Sequence, residues 1–564
     1  MFIGKAKGDI TAFIKGVGML GYGMYFNIMK DIATPLYCRS FVFKNASNHL
    51  VIVAICELAF ITDSLKQGVL KKLESYNIQE EQLLLLAQHT HSGPGGFSFY
   101  ALYNFTTPGF VKEIYELLVD KIANTIIASL QSFQSASISI AKSTFTEDIP
   151  VAFNRSLDAY NQNKDVIPLK HEERHKAVNR EMTLLHIEDK NHRPIASINW
   201  FGVHTTSVSN DNHSLCSDNK GYAATYLENE LAPDYIGAFA QGACGDISPK
   251  FIFNPKRKAQ RGHWEGKFSD DFESAKYNGQ IQFTKALEII QSANKMILQS
   301  DNLQSYLQYF DFSNIKIDEV YTGGLDRKFT SPACQGMAFL AGSKMDGPGA
   351  PRVVEVIGKK MARAIKRNEL NAKRFTDAER KEIIRKYEAQ GPKDIIIESG
   401  IGKILGTADI KNVVLPGIFD GGIKNMKKQH RDGALITKSW TPQILPLQWI
   451  QIGELLLIGF PFEITTVASY RLHKSICELV ADSTIKEVIL CPYANSYNGY
   501  ITTYEEYQIQ MYEGGHTVFG EWSLAALQTC FKNLYTNIKN QTIYHSIQPL
   551  EFSEEEIRKR SYKA

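Results

Sequence analysis

The sequence lacks several things, and each absence excludes a class of protein. Its eight cysteines (Cys38, Cys56, Cys216, Cys244, Cys334, Cys477, Cys491 and Cys530) form no CxxC pair. Neither a thiolate zinc site nor a dense disulfide framework is therefore expected, and buried free thiols are. Apolar runs such as LVIVAI at 50–55 and LLLLA at 83–87 fall far below the roughly 20 residues needed to cross a bilayer, so they read as buried strands. Charge nearly cancels, with 63 basic against 60 acidic residues in 564, and no nucleic-acid partner is expected. The opening MFIGKAKGDITAFIKG has no apolar run behind a basic stretch, so neither a leader nor an anchor is visible. The compartment stays unknown: cytoplasmic if the chain is complete, secreted if a leader has been removed.

What is present is an alternation. Short β-branched runs at 40–44, 50–60, 196–204, 235–245 and 485–493 end in polar, glycine-rich loops. Between them, helical periodicity runs over 62–76, 110–131, 219–231, 271–298, 352–388, 464–481 and 521–540. This predicts an α/β or α+β protein, mixed β-sheets layered with helices, with one large domain over 1–540 and a tail, 541–564, forming a frayed or surface helix. The segment from Arg352 to Lys386 is unusually basic and helical in pattern; it reads either as a solvated face or as a peripheral contact with an anionic membrane.

Five segments carry candidate chemistry. In LLLLAQHTHSGPGG a strand delivers His89 and His91 to a glycine-rich loop. Unless the strand bends, the two side chains are expected to point apart, so that one holds a metal and the other addresses the substrate; a hydrogen-bonded loop pair is the alternative. NWFGVHTTSVSNDN repeats the pattern with His204, and imidazole is a preferred zinc ligand. FAQGACGDISPK exposes Ser248 at a turn that is not a GxSxG elbow, so triad logic does not transfer. In IGELLLIGFPFEITTVASYRL, Glu463 follows Pro461 at an expected first helical turn, either as a cap or as an anionic metal ligand. SYNGYITTYEEYQIQMYEGG crowds Tyr497, Tyr500, Tyr504, Tyr507 and Tyr512, of which one or two are expected to face a site.

Together these segments closely resemble the neutral (neutral/alkaline, non-lysosomal) ceramidase family, whose motifs HTHSGPGG, WFxxHxxS, GDxSP, PxExTTxxxxRL and YxxYITTYEEYQxQxYEG all occur in order. MLGYG at 19–23, FNRS at 153–156, SDNKGYAA at 217–224 and DGPGA at 346–350 extend the match over about residues 3 to 540. The resemblance implies one zinc ion per chain held by His89, His204, Glu463 and Tyr500. It places His91, Arg155, Ser248 and Tyr512 in the reacting shell of an amidohydrolase acting on a ceramide-like lipid, with no obligate protein partner. Tyr512 and Arg155 are expected to steady an oxyanion, His91 to serve the departing amine, and Ser248 either to bind the head-group hydroxyl or to attack. The family's C-terminal immunoglobulin-like domain has no counterpart in these residues, and the loop after GDISP is short. A zinc amidase for another N-acylated amphiphile and a catalytically silent lipid-binding relative are the competing readings.

Overall fold

The computed structural model describes residues 1–562 apart from 108, 413–419, 434, 437 and 543–546. The last of these gaps, with 563–564, belongs to the expected tail and lies outside the described residues. Two sheets organise the chain. The first, nine-stranded, runs in space Ile236–Gln241, Pro194–Phe201, Glu181–Asp189, Gln134–Thr144, Phe2–Asp9, Tyr37–Lys44, Leu50–Cys56, Leu83–Ala87, with Met296–Ile297 paired beside Gln134–Thr144. The second has four strands in the order Leu303–Asp311, Ile444–Ile452, Leu455–Gly459, Glu487–Cys491.

Alternation along the strands shows how the sheets stack. Val51, Val53 and Ile55 join a core with Ile450, Ile452 and Leu457 of the second sheet. Their neighbours Ile52, Ala54 and Cys56 turn instead to a core shared with the helices Asp63–Lys72, Lys112–Leu130, Asp218–Leu231 and Asp271–Gln291. On the far side Leu447, Trp449, Leu456 and Ile458 pack on the helices Thr466–Leu479 and Ser523–Asn540. The result is four layers, helix, sheet, sheet, helix. Leu50–Cys56, Leu83–Ala87 and Leu455–Gly459 are covered on both faces and therefore read as unbroken apolar runs rather than alternating ones.

Within these two sheets most adjacent strands are antiparallel, but three pairs are parallel: Leu50–Cys56 with Leu83–Ala87, Pro194–Phe201 with Ile236–Gln241, and Leu455–Gly459 with Glu487–Cys491. The loops leaving these pairs carry the five motif segments. Ligand sites in such sheets gather at the carboxyl ends of parallel strands.

The expected helix over 352–388 is two helices, Arg352–Asn371 and Asp377–Gln390. Thr376 starts the second with a capping box, its side chain accepting from the Glu379 amide while Glu379 reaches back. Both helices belong to an excursion between the paired strands Leu303–Asp311 and Ile444–Ile452, with its own small core around Met337, Ile396, Ile404 and Trp440. The tail forms a helix, Glu554–Arg560, and it is docked: the Phe110 amide donates to Arg560, whose side chain is buried against Phe552. All eight cysteines are free thiols.

Candidate metal centre and its surroundings

Strand Leu83–Ala87 ends two residues before His89, which turns with φ 77° into left-handed backbone. Residues two apart on a strand share a face, and His89 and His91 do not point apart: their Nε2 atoms lie 3.0 Å from each other. Strand Pro194–Phe201 delivers His204 to the same place, with His89 and His204 ring centroids 4.9 Å apart. A parallel bridge between Thr90 and Thr205 ties the two loops, and the Thr205 hydroxyl donates to the His89 carbonyl.

Neighbouring carbonyls fix which nitrogen each ring presents. His89 Nδ1 is 2.5 Å from the Ala59 carbonyl, and His204 Nδ1 is 2.6 Å from that of Cys244 and 3.0 Å from that of Ile247. A carbonyl only accepts, so Nδ1 carries the hydrogen in both rings and Nε2 keeps its lone pair. His204 Nε2 is buried without a hydrogen-bond partner. Both Nε2 atoms face Glu463 Oε2, at 3.4 Å from His89 and 3.3 Å from His204. Lone pairs and a carboxylate oxygen gathered away from water repel one another unless a cation lies among them. Ligand atoms of His89, His91 and His204 all fall within 4.8 Å of one another, so this group can hold a metal ion.

Glu463 does not begin a helix. It lies in the two-residue strand Glu463–Ile464, paired in parallel with Tyr500–Ile501, and helix Thr466–Leu479 starts three residues later. That register sets Glu463 directly beside Tyr500. Tyr497 donates to Glu463 Oε1 at 2.5 Å and Tyr493 to Oε2 at 3.1 Å.

Next to this cluster Arg155 is almost fully committed. Its Nε donates to Glu513 at 2.9 Å, Nη1 to Asp346 at 2.6 Å, and Nη2 to the Gly245 carbonyl at 2.7 Å and the Tyr500 hydroxyl at 3.2 Å. The guanidinium also lies over the Tyr512 ring, 5.4 Å from its centroid. Ser248 is fully buried and donates to Asp346 Oδ1 at 2.7 Å, where Thr206 donates at 2.9 Å. Burial pushes the Asp346 carboxyl pKa up, but Arg155, then Lys250, pull it well below the ordinary range. An ionised Asp346 held this way is a weak base. Burial, then Glu463, raises the Tyr512 phenol pKa above its ordinary value, so it remains a proton donor at neutral pH.

All eight sequence-selected residues thus fall in one connected region: His89, His91, His204 and Glu463 in direct contact, Tyr500 beside Glu463, and Arg155 linking Tyr500, Tyr512 and the Asp346–Ser248 pair. Sequence reasoning missed Asp346, although DGPGA was among the matching motifs. It also missed Tyr493, two residues beyond strand Glu487–Cys491, and Glu513, inside the tyrosine-rich segment. Tyr504 and Tyr507 serve packing: one stacks on Trp522 at 4.4 Å and the other donates to the Gln390 carbonyl at 3.0 Å.

Fold and site define a class, a four-layer helix–sheet–sheet–helix protein whose parallel strand ends carry a histidine and carboxylate centre able to hold a metal. The profile described as neutral/alkaline non-lysosomal ceramidase, N-terminal, matches residues 1–414 and 430–529. The chain belongs to that family. Neutral ceramidase of Pseudomonas aeruginosa is 29% identical over 544 residues, covering 95% of this chain and 72% of its own length. Neutral ceramidase B of Dictyostelium discoideum is 29% identical over 575 residues, covering 96% and 72%. The crystal structure of neutral ceramidase from Pseudomonas aeruginosa aligns with a TM-score of 0.76 at 27% identity, over 98% of this chain and 76% of that one. A ceramidase solved in complex with C2 aligns with a TM-score of 0.79 at 28% identity, over 98% and 77%.

Proposed function

We propose that this chain hydrolyses the N-acyl amide bond of ceramide, releasing a sphingoid base and a fatty acid, at a zinc site formed by His89, His204, Glu463 and Tyr500. The observation that carries the metal assignment is the convergence of the His89 and His204 Nε2 atoms on Glu463 Oε2 at 3.4 and 3.3 Å. Bonds of about 2.0–2.1 Å in a tetrahedron leave ligand atoms about 3.3–3.4 Å apart, so the spacing suits zinc. The ceramide reading rests on family membership and on the relatives' activity.

Zinc, when bound, supplies Lewis acidity that brings the pKa of water to about 7 and polarises an amide carbonyl. The chain's own residues do the rest. Tyr512 donates its phenolic proton toward the developing oxyanion. Arg155 positions Tyr500 and Asp346 and adds positive charge close by. His91 Nε2 faces the His89 Nε2 lone pair and so holds the ring's hydrogen, which leaves Nδ1, buried without a hydrogen-bond partner, as the lone pair that takes up a proton and passes it to the departing amine. Ser248 gives its own hydrogen to Asp346 and so offers lone pairs to the head-group hydroxyl of the lipid. With only the weak base Asp346 beside it, it binds substrate rather than attacking.

Chromatographic assay of the purified protein with a fluorescent short-chain ceramide, with and without a chelator, tests both parts. Fatty-acid release that stops on chelation and returns with zinc is expected. Release unaffected by thorough chelation excludes the metal, and no release from the zinc-loaded protein excludes the substrate.

A further inference from the structure

Helix Arg352–Asn371 leaves one face uncovered. Its inner side packs on the short helix Met337–Ala341, where the bare Gly358 admits the Met337 sulfur. Its outer side shows Val353, Val356, Ile357 and Met361 at 69, 44, 52 and 42% exposure. Spaced i, i+3, i+4 and i+8, these four make a continuous apolar stripe. Arg352, Lys360 and Arg367 stand along the same exposed side, and among the described residues none of the three has an ion-pair partner. The neighbouring cations are satisfied, Lys359 by Glu355 and Arg363 by Asp394.

The place of this helix matters. Pro351 caps it, and the Asp346 that binds Ser248 and Arg155 lies only six residues before Arg352, a span of at most about 20 Å. Phe339 of the underlying helix stacks on His516 at 4.1 Å, and His516 lies 5.4 Å from the Tyr500 ring. Across the same loop Gly262 abuts Gly347, and the hairpin it closes holds Phe253 57% exposed. Apolar side chains interleaved with unpaired cations match a bilayer interface, where aliphatic groups enter the acyl boundary and long basic side chains reach anionic head groups.

We infer that the exposed face of Arg352–Asn371 docks this protein on an anionic lipid bilayer, next to the loop that carries Asp346. The inference extends the ceramide reading, since it places the site at the surface in which such a substrate resides.

Co-sedimentation with phosphatidylcholine vesicles, with and without phosphatidylglycerol, tests it. Wild type should bind the anionic vesicles and release them in high salt. Each unpaired cation accounts for about fivefold in affinity, so K360E/R367E should bind at least 25-fold more weakly, and V356D/I357D should lose binding at any salt. Both variants should hydrolyse detergent-dispersed short-chain ceramide like wild type and lose activity only on vesicles. Wild type that ignores anionic vesicles, variants that sediment like wild type, or a stripe that proves to hold two chains together in size-exclusion chromatography each overturns the inference. Vesicle binding of the expected kind by a protein inactive on ceramide sinks the substrate reading and leaves the docking face standing.

Discussion

Asp346→Asn separates the charge of the Asp346 hub from its shape. The amide oxygen can still accept from Ser248 and Thr206, but an N–H replaces the oxygen that meets Arg155 Nη1 at 2.6 Å. Removing one partner of a buried pair costs about 3–5 kcal/mol. Glu513, 2.9 Å from Arg155 Nε, still neutralises part of the guanidinium, so a loss near 3 kcal/mol is expected. The pH dependence has a definite sign. The folded Asp346 carboxyl pKa is lowered, so its contribution is complete above the unfolded value of about 3.9 and is lost as pH falls toward the folded one. Urea unfolding followed by tryptophan fluorescence should therefore show a constant gap between wild type and variant from about pH 5 to 8, narrowing below about pH 4. kcat/KM should drop more than tenfold, since Arg155 and Ser248 lose a common anchor, and each tenfold corresponds to about 1.4 kcal/mol. A gap under about 1 kcal/mol at neutral pH, or one that stays constant well below pH 4, refutes the hub as described.

Other perturbations follow from the same contacts. Tyr497→Phe removes the donor to Glu463 Oε1 and should weaken zinc retention about 10–100-fold in chelator competition, with little change in folding. Hydroxylamine added during turnover should trap no acyl hydroxamate, because Ser248 has no strong base. Ser248→Ala should cost more kcat/KM on ceramide than on an analogue lacking the primary hydroxyl; hydroxamate formation reverses that assignment. Leu457→Ala, between the two sheets, should cost about 2–5 kcal/mol in urea unfolding without altering metal content.

Much of the architecture is legible in the residues. LVIVAI, LLLLA and LLLIG mark strands buried on both faces, and the histidines that follow two of the apolar strands mark the end of the sheets where the site forms. The split of the basic helix was also written in the sequence, as the T-x-x-E box at Thr376. Glu463 was misplaced in a helix because its true partner, Tyr500, is distant in sequence and the pairing covers two residues, too short to leave a periodic signal. The separation of His89 from His91 failed because strand alternation puts residues two apart on one side. Asp346 was invisible for a different reason. Its importance comes from loops 98 and 191 residues away in sequence, and a DGPGA turn names no chemistry until Ser248 and Arg155 stand beside it.

The most direct test is to measure zinc by mass spectrometry in the purified protein and in His204→Ala and Glu463→Ala, alongside amide hydrolysis. The account predicts one zinc per active chain, and neither zinc nor activity in the two variants while both remain folded. Wild type that turns over ceramide without zinc, or variants that keep a full complement of the ion, would contradict the proposed centre.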